Sequence, residues 1–194
     1  LKGRAGIEFT YYSQTTTDDI LSATISQSSG FNSTSVNIGE LTNKGIEILL
    51  TGTPVQGAIT WDVSLNLARN ENMVVELSEG VTRLFVDEPR TRTVGVYQVK
   101  GYPFGMILGY KQKVDPASGQ KVYDANGYPI RSDVYEILGN GIAKLTGGLN
   151  NTLSWKRLKL DALIDFKAGG DIYSGTEVGL TNYGLHKQTL AYRE

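Results

Sequence analysis

The chain has 194 residues, a formal net charge of −1, no cysteine and one histidine, His186. Balanced charge without a basic cluster leaves no footprint for nucleic acid. The lack of cysteine excludes a disulfide scaffold, and a lone histidine excludes multi-histidine metal sites. Glycine (23) and tyrosine (11) are abundant, and Asn, Ser and Thr recur throughout, a profile of strands and turns rather than helices. No run approaches the roughly 18 apolar residues of a transmembrane helix.

In chain order, Leu1-Lys2-Gly3-Arg4 has no apolar stretch behind it. It is therefore no signal peptide and is expected to lie mid-strand, so that the chain starts and stops inside a larger protein. Ala5, Ile7, Phe9 and Tyr11 then alternate with Arg4, Glu8, Thr10 and Tyr12. A strand over 44–52 leads to a short turn at Pro54. Over 59–70, Trp61, Val63, Leu65 and Leu67 oppose Thr60, Asp62, Ser64 and Asn66. Over 147–155, Leu149, Leu153 and Trp155 oppose Gly148, Asn150, Thr152 and Ser154; over 158–168, Leu158, Leu160, Ala162, Ile164 and Phe166 oppose Lys159, Asp161, Leu163, Asp165 and Lys167. A period of two predicts strands wet on one face and dry on the other.

Ten residues of such a strand span about 33 Å and rise about 25 Å when tilted by about 40°, the height of the apolar band on an outer-membrane barrel. The connections sort by length. Short ones are expected at 14–19, 53–58 and Lys156-Arg157, and long ones at 27–42 and 71–146, with all the long ones at one end of the sheet. Outer-membrane barrels have this division into short periplasmic turns and long extracellular loops. The 71–146 excursion is too long to be structureless, and 82–86, 94–99 and 106–114 are its predicted strands. Asp115-Pro116-Ala117-Ser118-Gly119 and Asp124-Ala125-Asn126-Gly127 carry turn chemistry and bracket a short strand at 120–123. No helix and no tandem repeat are predicted. The competing fold is a soluble all-β sandwich, as in a carbohydrate-binding module.

Several phrases in order resemble the SusC/RagA family of TonB-dependent receptors. Asn37-Ile38-Gly39-Glu40 with Asn43-Lys44-Gly45-Ile46-Glu47 is similar to the family's N-x-G-x-x-x-N-K-G-I-E stretch. The run from Leu65 to Asn72, then Val74-Val75-Glu76-Leu77, is similar to the strand and exit that follow it. Gly101-Tyr102-Pro103-Phe104-Gly105 with Leu108-Gly109-Tyr110 resembles a G-x-P-x-G-x-x-x-G-Y phrase. Gly147 to Trp155, with Gly169-Gly170-Asp171-Ile172-Tyr173, resembles a late barrel hairpin. The resemblance implies an all-β antiparallel meander belonging to the C-terminal half of a barrel of about 22 strands, in the outer membrane of a Gram-negative bacterium. It implies TonB energy through a plug domain, a SusD-like surface lipoprotein partner, membrane lipid around the wall, and oligosaccharide or peptide cargo. Residues 1–194 are then one partial barrel domain, with 71–146 as an extracellular loop region. No plug, no TonB-contacting segment and no aromatic C-terminal strand are expected within it.

No catalytic or metal site and no cofactor follow from the sequence, and the chain is expected not to be an enzyme. Asp161 and Asp165 share a strand face with Lys159 and Lys167, which is the pattern of a hydrated wall rather than an acid/base pair. His186 has no acid or nucleophile beside it in sequence. Asp124 to Gly127 echoes a calcium loop, but Asp133 stands where that loop needs glutamate, and no acid stands at Tyr128. Trp61, Trp155, Phe166 and Tyr173 sit near strand ends, as a membrane girdle would place them. Trp61, Leu65, Leu160 and Ile164 are predicted to face lipid. Among the aromatics of the excursion, Tyr102, Phe104, Tyr123 and Tyr128 are the candidate cargo contacts; Tyr97 and Tyr135 lie there too.

Overall fold

The computed structural model of the chain describes residues 3–18, 20–24, 28, 30–31, 33–37, 39–91 and 93–192. Five long strands make the main sheet, in the order β1 (Ala5–Thr17), β4 (Glu40–Gln56), β5 (Ile59–Glu76), β10 (Leu145–Trp155) and β11 (Leu158–Ala168), every pair antiparallel. A hairpin of β2 (Ile20–Thr24) and β3 (Ser33–Asn37) is inserted between β1 and β4. Between β5 and β10, β6 (Arg83–Asp87), β7 (Val94–Val99), β8 (Met106–Gly109) and β9 (Glu136–Asn140) form a second sheet in sequence order. Helix α1 (Gly175–Asn182) and a 3-10 turn (Lys187–Tyr192) follow β11.

The register fixes what each face carries. Phe9 stands opposite Ile48, Ile48 opposite Leu67, and Leu67 opposite Gly147, which faces Phe166. One level lower, Ile7, Leu50, Leu65, Leu149 and Ile164 form the next row. Both rows lie on one face because side chains alternate along every strand. No second layer covers this face: Leu160 is 65% exposed and Ile164 58% exposed. A soluble sandwich buries such a face against a partner sheet.

Both tight connections lie at one end of the sheet, at Gly57-Ala58 and at Lys156-Arg157. The β2–β3 excursion, the β6–β9 excursion and the α1 segment all leave from the other end. The predicted sorting of loops is thus present, with shifted bounds: β3 and the first residues of β4 fall inside the connection expected at 27–42, and β4 runs through 53–56 of the one expected at 53–58. The connection expected at 14–19 is in strand as far as Thr17, where Thr15 and Thr17 pair with Thr42 and Glu40. The excursion expected from Glu71 starts later, since β5 runs on to Glu76.

Where β4 meets β5 near the tight end, the register slips between Gly52 and Val55. Pro54 has no N–H to give a ladder, and a bulge is where a strand tolerates it. The Arg4 guanidinium donates to the Thr53 and Pro54 carbonyls at 2.9 and 3.3 Å, satisfying oxygens that the slip takes out of the ladder.

The buried core sits at the loop end. Val74, fully buried, meets Leu41 and Leu77, with Val81, Leu84 and Phe104 packed around them. Val94, Met106 and Leu108 are buried within the second sheet. The predicted strands at 82–86 and 94–99 are β6 and β7 to within a residue, whereas the one at 106–114 ends at Gly109. The expected strand at 120–123 is instead a ladder of single bridges, Val114–Lys121, Tyr123–Pro129 and Gln112–Arg131. Two tight turns within about 15 residues leave no length for a continuous strand.

Helix α1 was not predicted, because no apolar stripe marks it: none of its residues is buried. Its start is nevertheless written as a capping sequence. Ser174 accepts from the Glu177 N–H at 3.2 Å, and the acid stands in the first turn, where the helix dipole favours it.

Candidate functional site

The two faces of the main sheet differ in chemistry. On β5 the apolar face runs from Ile59 to Leu67 and ends at Arg69, whose guanidinium pairs with Glu71 at 2.6 Å. Ten residue rises separate Ile59 from Arg69, about 33 Å along the strand and about 25 Å in height at a tilt of about 40°. At the same level as Arg69, Tyr11 and Ile46 close the band on β1 and β4, and Ser13, Lys44 and Glu71 succeed them. The band is therefore bounded by polar residues at a common height on three strands.

Asn151 falls on this apolar face. The Trp61 indole N–H donates to its Oδ1 at 3.2 Å across the β5–β10 pair, so each supplies the other's partner. A lone amide on an apolar face otherwise carries the full desolvation cost.

The opposite face is polar and internally bonded. Thr53 Oγ1 donates to Asp62 at 2.6 Å, Thr152 Oγ1 donates to Asp161 at 2.5 Å, and Lys159 Nζ lies 3.2 Å from Asp161. Asp165 lies over Gly148, and the Asn66 amide closes against the same glycine. Asp161 is thus engaged with Thr152 across the strand pair and with Lys159 on its own strand, while Asp165 lies over Gly148. Higher up, Tyr12 crosses β4 over Gly45 and donates to Asn70 Oδ1 at 3.1 Å.

The β6–β9 region is seated on the exposed edge of β5 above β10. Val74 exchanges backbone hydrogen bonds with 101–102, Val74 N to Tyr102 O and Gly101 N to Val74 O, at 3.0 and 2.7 Å. Asn72 Oδ1 takes the Phe104 N–H at 2.7 Å. Without this segment, 71–76 would present an unpaired edge beyond Leu145, the first residue of β10. From the other side, Asp171 closes on Asn140 through two bonds, and Thr93 and Tyr173 hydroxyls meet.

The four candidate aromatics fall into two places. Phe104 packs against the Leu41–Val74–Leu77 core, and Tyr102 stands half-exposed next to it. Tyr123 and Tyr128 are exposed on a projecting arm, at the two sides of a turn that Asp124 holds by accepting the N–H groups of Asn126 and Tyr128. A separate ring cluster, which no local sequence pattern marks, draws on Phe85, Tyr97, Tyr110 and Tyr135. Tyr110 and Tyr135 meet edge to face at 4.5 Å, Tyr97 joins Tyr135 and Phe85, and the Arg131 guanidinium lies 4.3 Å above Tyr110. Burial raises the Tyr97 phenol above its ordinary pKa. His186 does have an acid near it: Glu177 Oε1 is 3.5 Å from Nε2, while Nδ1 accepts from Gln188 N–H. Among the described residues, no group of three or more acidic, histidine or cysteine side chains is placed to hold a metal ion.

No protein-family model matches the chain. TonB-dependent receptor P26 of Formosa agariphila is 32% identical over 190 residues, covering 89% of this chain and 19% of the relative. TonB-dependent receptor SusC of Bacteroides thetaiotaomicron is 31% identical over 135 residues, covering 64% of this chain and 12% of the relative. The chain belongs to the SusC/RagA-type TonB-dependent receptors. The structure of the RagAB peptide transporter superposes with a TM-score of 0.63 and 25% identity, over 84% of this chain and 19% of that one. A second RagAB structure, in an open-open state, gives 0.60 over 87% of this chain. The chain spans about a fifth of the length of three TonB-dependent receptors of Formosa agariphila that it matches. Its main sheet is a segment of antiparallel SusC/RagA-type barrel wall, as the sequence led us to expect.

Proposed function

We propose that the chain forms part of the wall, and of the extracellular structure, of an outer-membrane receptor that imports an oligosaccharide or peptide with TonB energy beneath a SusD-like lipoprotein. The apolar face looks to lipid, the polar face looks into the lumen, and the β6–β9 region stands outside the membrane at the mouth. The observation that carries this reading is the uncovered apolar band, about 25 Å high, backed by a hydrogen-bonded polar face. Lipid is the one solvent that makes such a band favourable while the ladder satisfies the backbone. The chain supplies wall and recognition surface and performs no bond chemistry. Tyr102, Tyr123 and Tyr128 are the proposed cargo contacts, with ring faces suited to sugars or peptide side chains; Phe104 holds the surface in place from beneath. The RagAB likeness lends weight to a peptide, and cargo binding by the intact receptor with each tyrosine changed to alanine tests that choice.

The topology has its own test. This chain has no cysteine, so Leu65→Cys and Asn66→Cys can be introduced singly and the receptor treated, in intact membranes, with a water-soluble maleimide. Asn66→Cys is expected to react and Leu65→Cys to stay protected. Equal labelling of both would remove the lipid-facing assignment.

A further inference from the structure

We infer that the β10–β11 turn is a binding site for the headgroup phosphate of anionic glycerophospholipids in the leaflet that the short-turn rim meets. The inference rests on the membrane-wall reading above and adds a ligand to it. The site consists of Lys156, Arg157 and Trp155.

The first observation concerns charge. Five bases among the described residues pair with acids, Arg69 with Glu71, Lys100 with Glu76, Lys111 with Glu136, Lys113 with Asp133 and, near this turn, Lys159 with Asp161. Arg4 spends its guanidinium on two carbonyls. Lys156 and Arg157 are exposed and adjacent, and neither has an ion-pair partner among the described residues. The other tight turn, Gly57-Ala58, carries no charge. Among the described residues, Lys156 and Arg157 are thus two adjacent cations on this rim without an ion pair.

The second observation concerns place. Trp155 is the last residue of β10 and lies on the apolar face, opposite Ile59 and Leu158. The apolar band ends there, and the two bases follow at once, at the level where headgroups begin. Lys156 Nζ lies 5.1 Å above the Trp155 ring. The ring's own N–H has no hydrogen-bond partner among the described residues, whereas the Trp61 N–H is taken by Asn151. The indole donor and the ammonium thus lie side by side, with exposed Arg157 the next residue in the turn, and a phosphate diester with its glycerol esters accepts from all three donor types.

The third observation concerns the backbone. Lys156 has φ of +54°, in the left-handed region that glycine and asparagine occupy at least cost. The turn itself does not call for lysine, so its charge can be removed without disturbing the fold.

The test uses the whole receptor that carries this chain. Native mass spectrometry counts bound phosphatidylglycerol against phosphatidylcholine from mixed micelles at low and high salt. The parent is expected to prefer phosphatidylglycerol, less so in high salt, and Lys156→Asn with Arg157→Gln to lower that preference about tenfold. Trp155→Phe, which removes only the indole donor, should give a smaller loss, and Arg157→Lys should keep the preference. Equal retention of both lipids by the parent, or a preference unchanged in the double variant, overturns the inference. Quenching of tryptophan fluorescence by acyl-chain-brominated lipid separates the two levels. Quenching without headgroup preference sinks the phosphate site alone, whereas no quenching sinks the membrane wall and the site with it.

Discussion

The main sheet and the β6–β9 region are both antiparallel, yet they are held together by different means. The sheet buries almost nothing: every residue of β11 is exposed, and the apolar rows of β1 meet no covering layer. Its order comes from long ladders and from whatever surrounds it. The β6–β9 region has an interior of its own in Val94, Met106 and Leu108, a ring cluster, and a seat on β5 through Val74 and Phe104. One part of the chain leaves its apolar face exposed, and the other buries its own in the ordinary way of a soluble domain.

Breaking that contrast most strongly means placing charge in the band. Leu65, near its mid-height, should cost about 2–4 kcal/mol as Leu65→Arg in the intact barrel, and Ile164→Arg the same, read from denaturant unfolding in bilayers. Asn66→Arg, one residue away on the polar face, should stay within about 0.5 kcal/mol. A smaller loss is expected at the seat. Val74→Ala removes two buried methyl groups and leaves a void, about 2 kcal/mol. It should raise amide exchange at 101–104 while leaving the β10–β11 ladder unchanged. If both change together, the two regions form one cooperative unit.

The smallest effect concerns the arm. Asp115 is held below its ordinary pKa of 3.8 first by the Ser118 hydroxyl and then by the Ala117 N–H, and Asp133 by Lys113 at 2.7 Å. A carboxyl whose pKa is lowered in the folded state stabilises fully above 3.8, and the contribution is lost as pH falls through the lowered value. Exchange at the 117 and 118 amides should therefore show no pH-linked opening from neutrality down to about 4, then rise below that. Asp115→Asn should abolish the pH dependence.

How much could be read from the sequence follows the same division. Alternation marks β5, β10 and β11 because the apolar and polar sides differ along them, and two short turns set the direction of β4, β5, β10 and β11. Above the band the alternation breaks: Thr15 to Thr17 are polar on both faces, and between Glu71 and Glu76 the exposed Met73 and Val75 flank the buried Val74. The ladder continues through both stretches, which carry no signal of period two. β9 was missed because a register slip next to Leu108 and a glycine at 139 break its pattern. Helix α1 was written in Ser174 and Glu177 alone, with no stripe to support it. Placement of Phe104 beneath the surface, and the meeting of Tyr97, Tyr110 and Tyr135, depend on tertiary closure and have no local signature.

Tyr12 and Gly45 have a consequence for how the wall is put together. The phenol reaches Asn70 only by lying across a residue with no side chain, so its ring gauges the alignment of three strands at once. Sliding β1 by one residue turns the ring to the wrong side of the sheet. Sliding it by two sets the ring against Asn43 or Glu47, where a side chain fills the space. Misaligned intermediates thus forfeit the bond to β5, and a nascent wall can reject them before its next strand arrives.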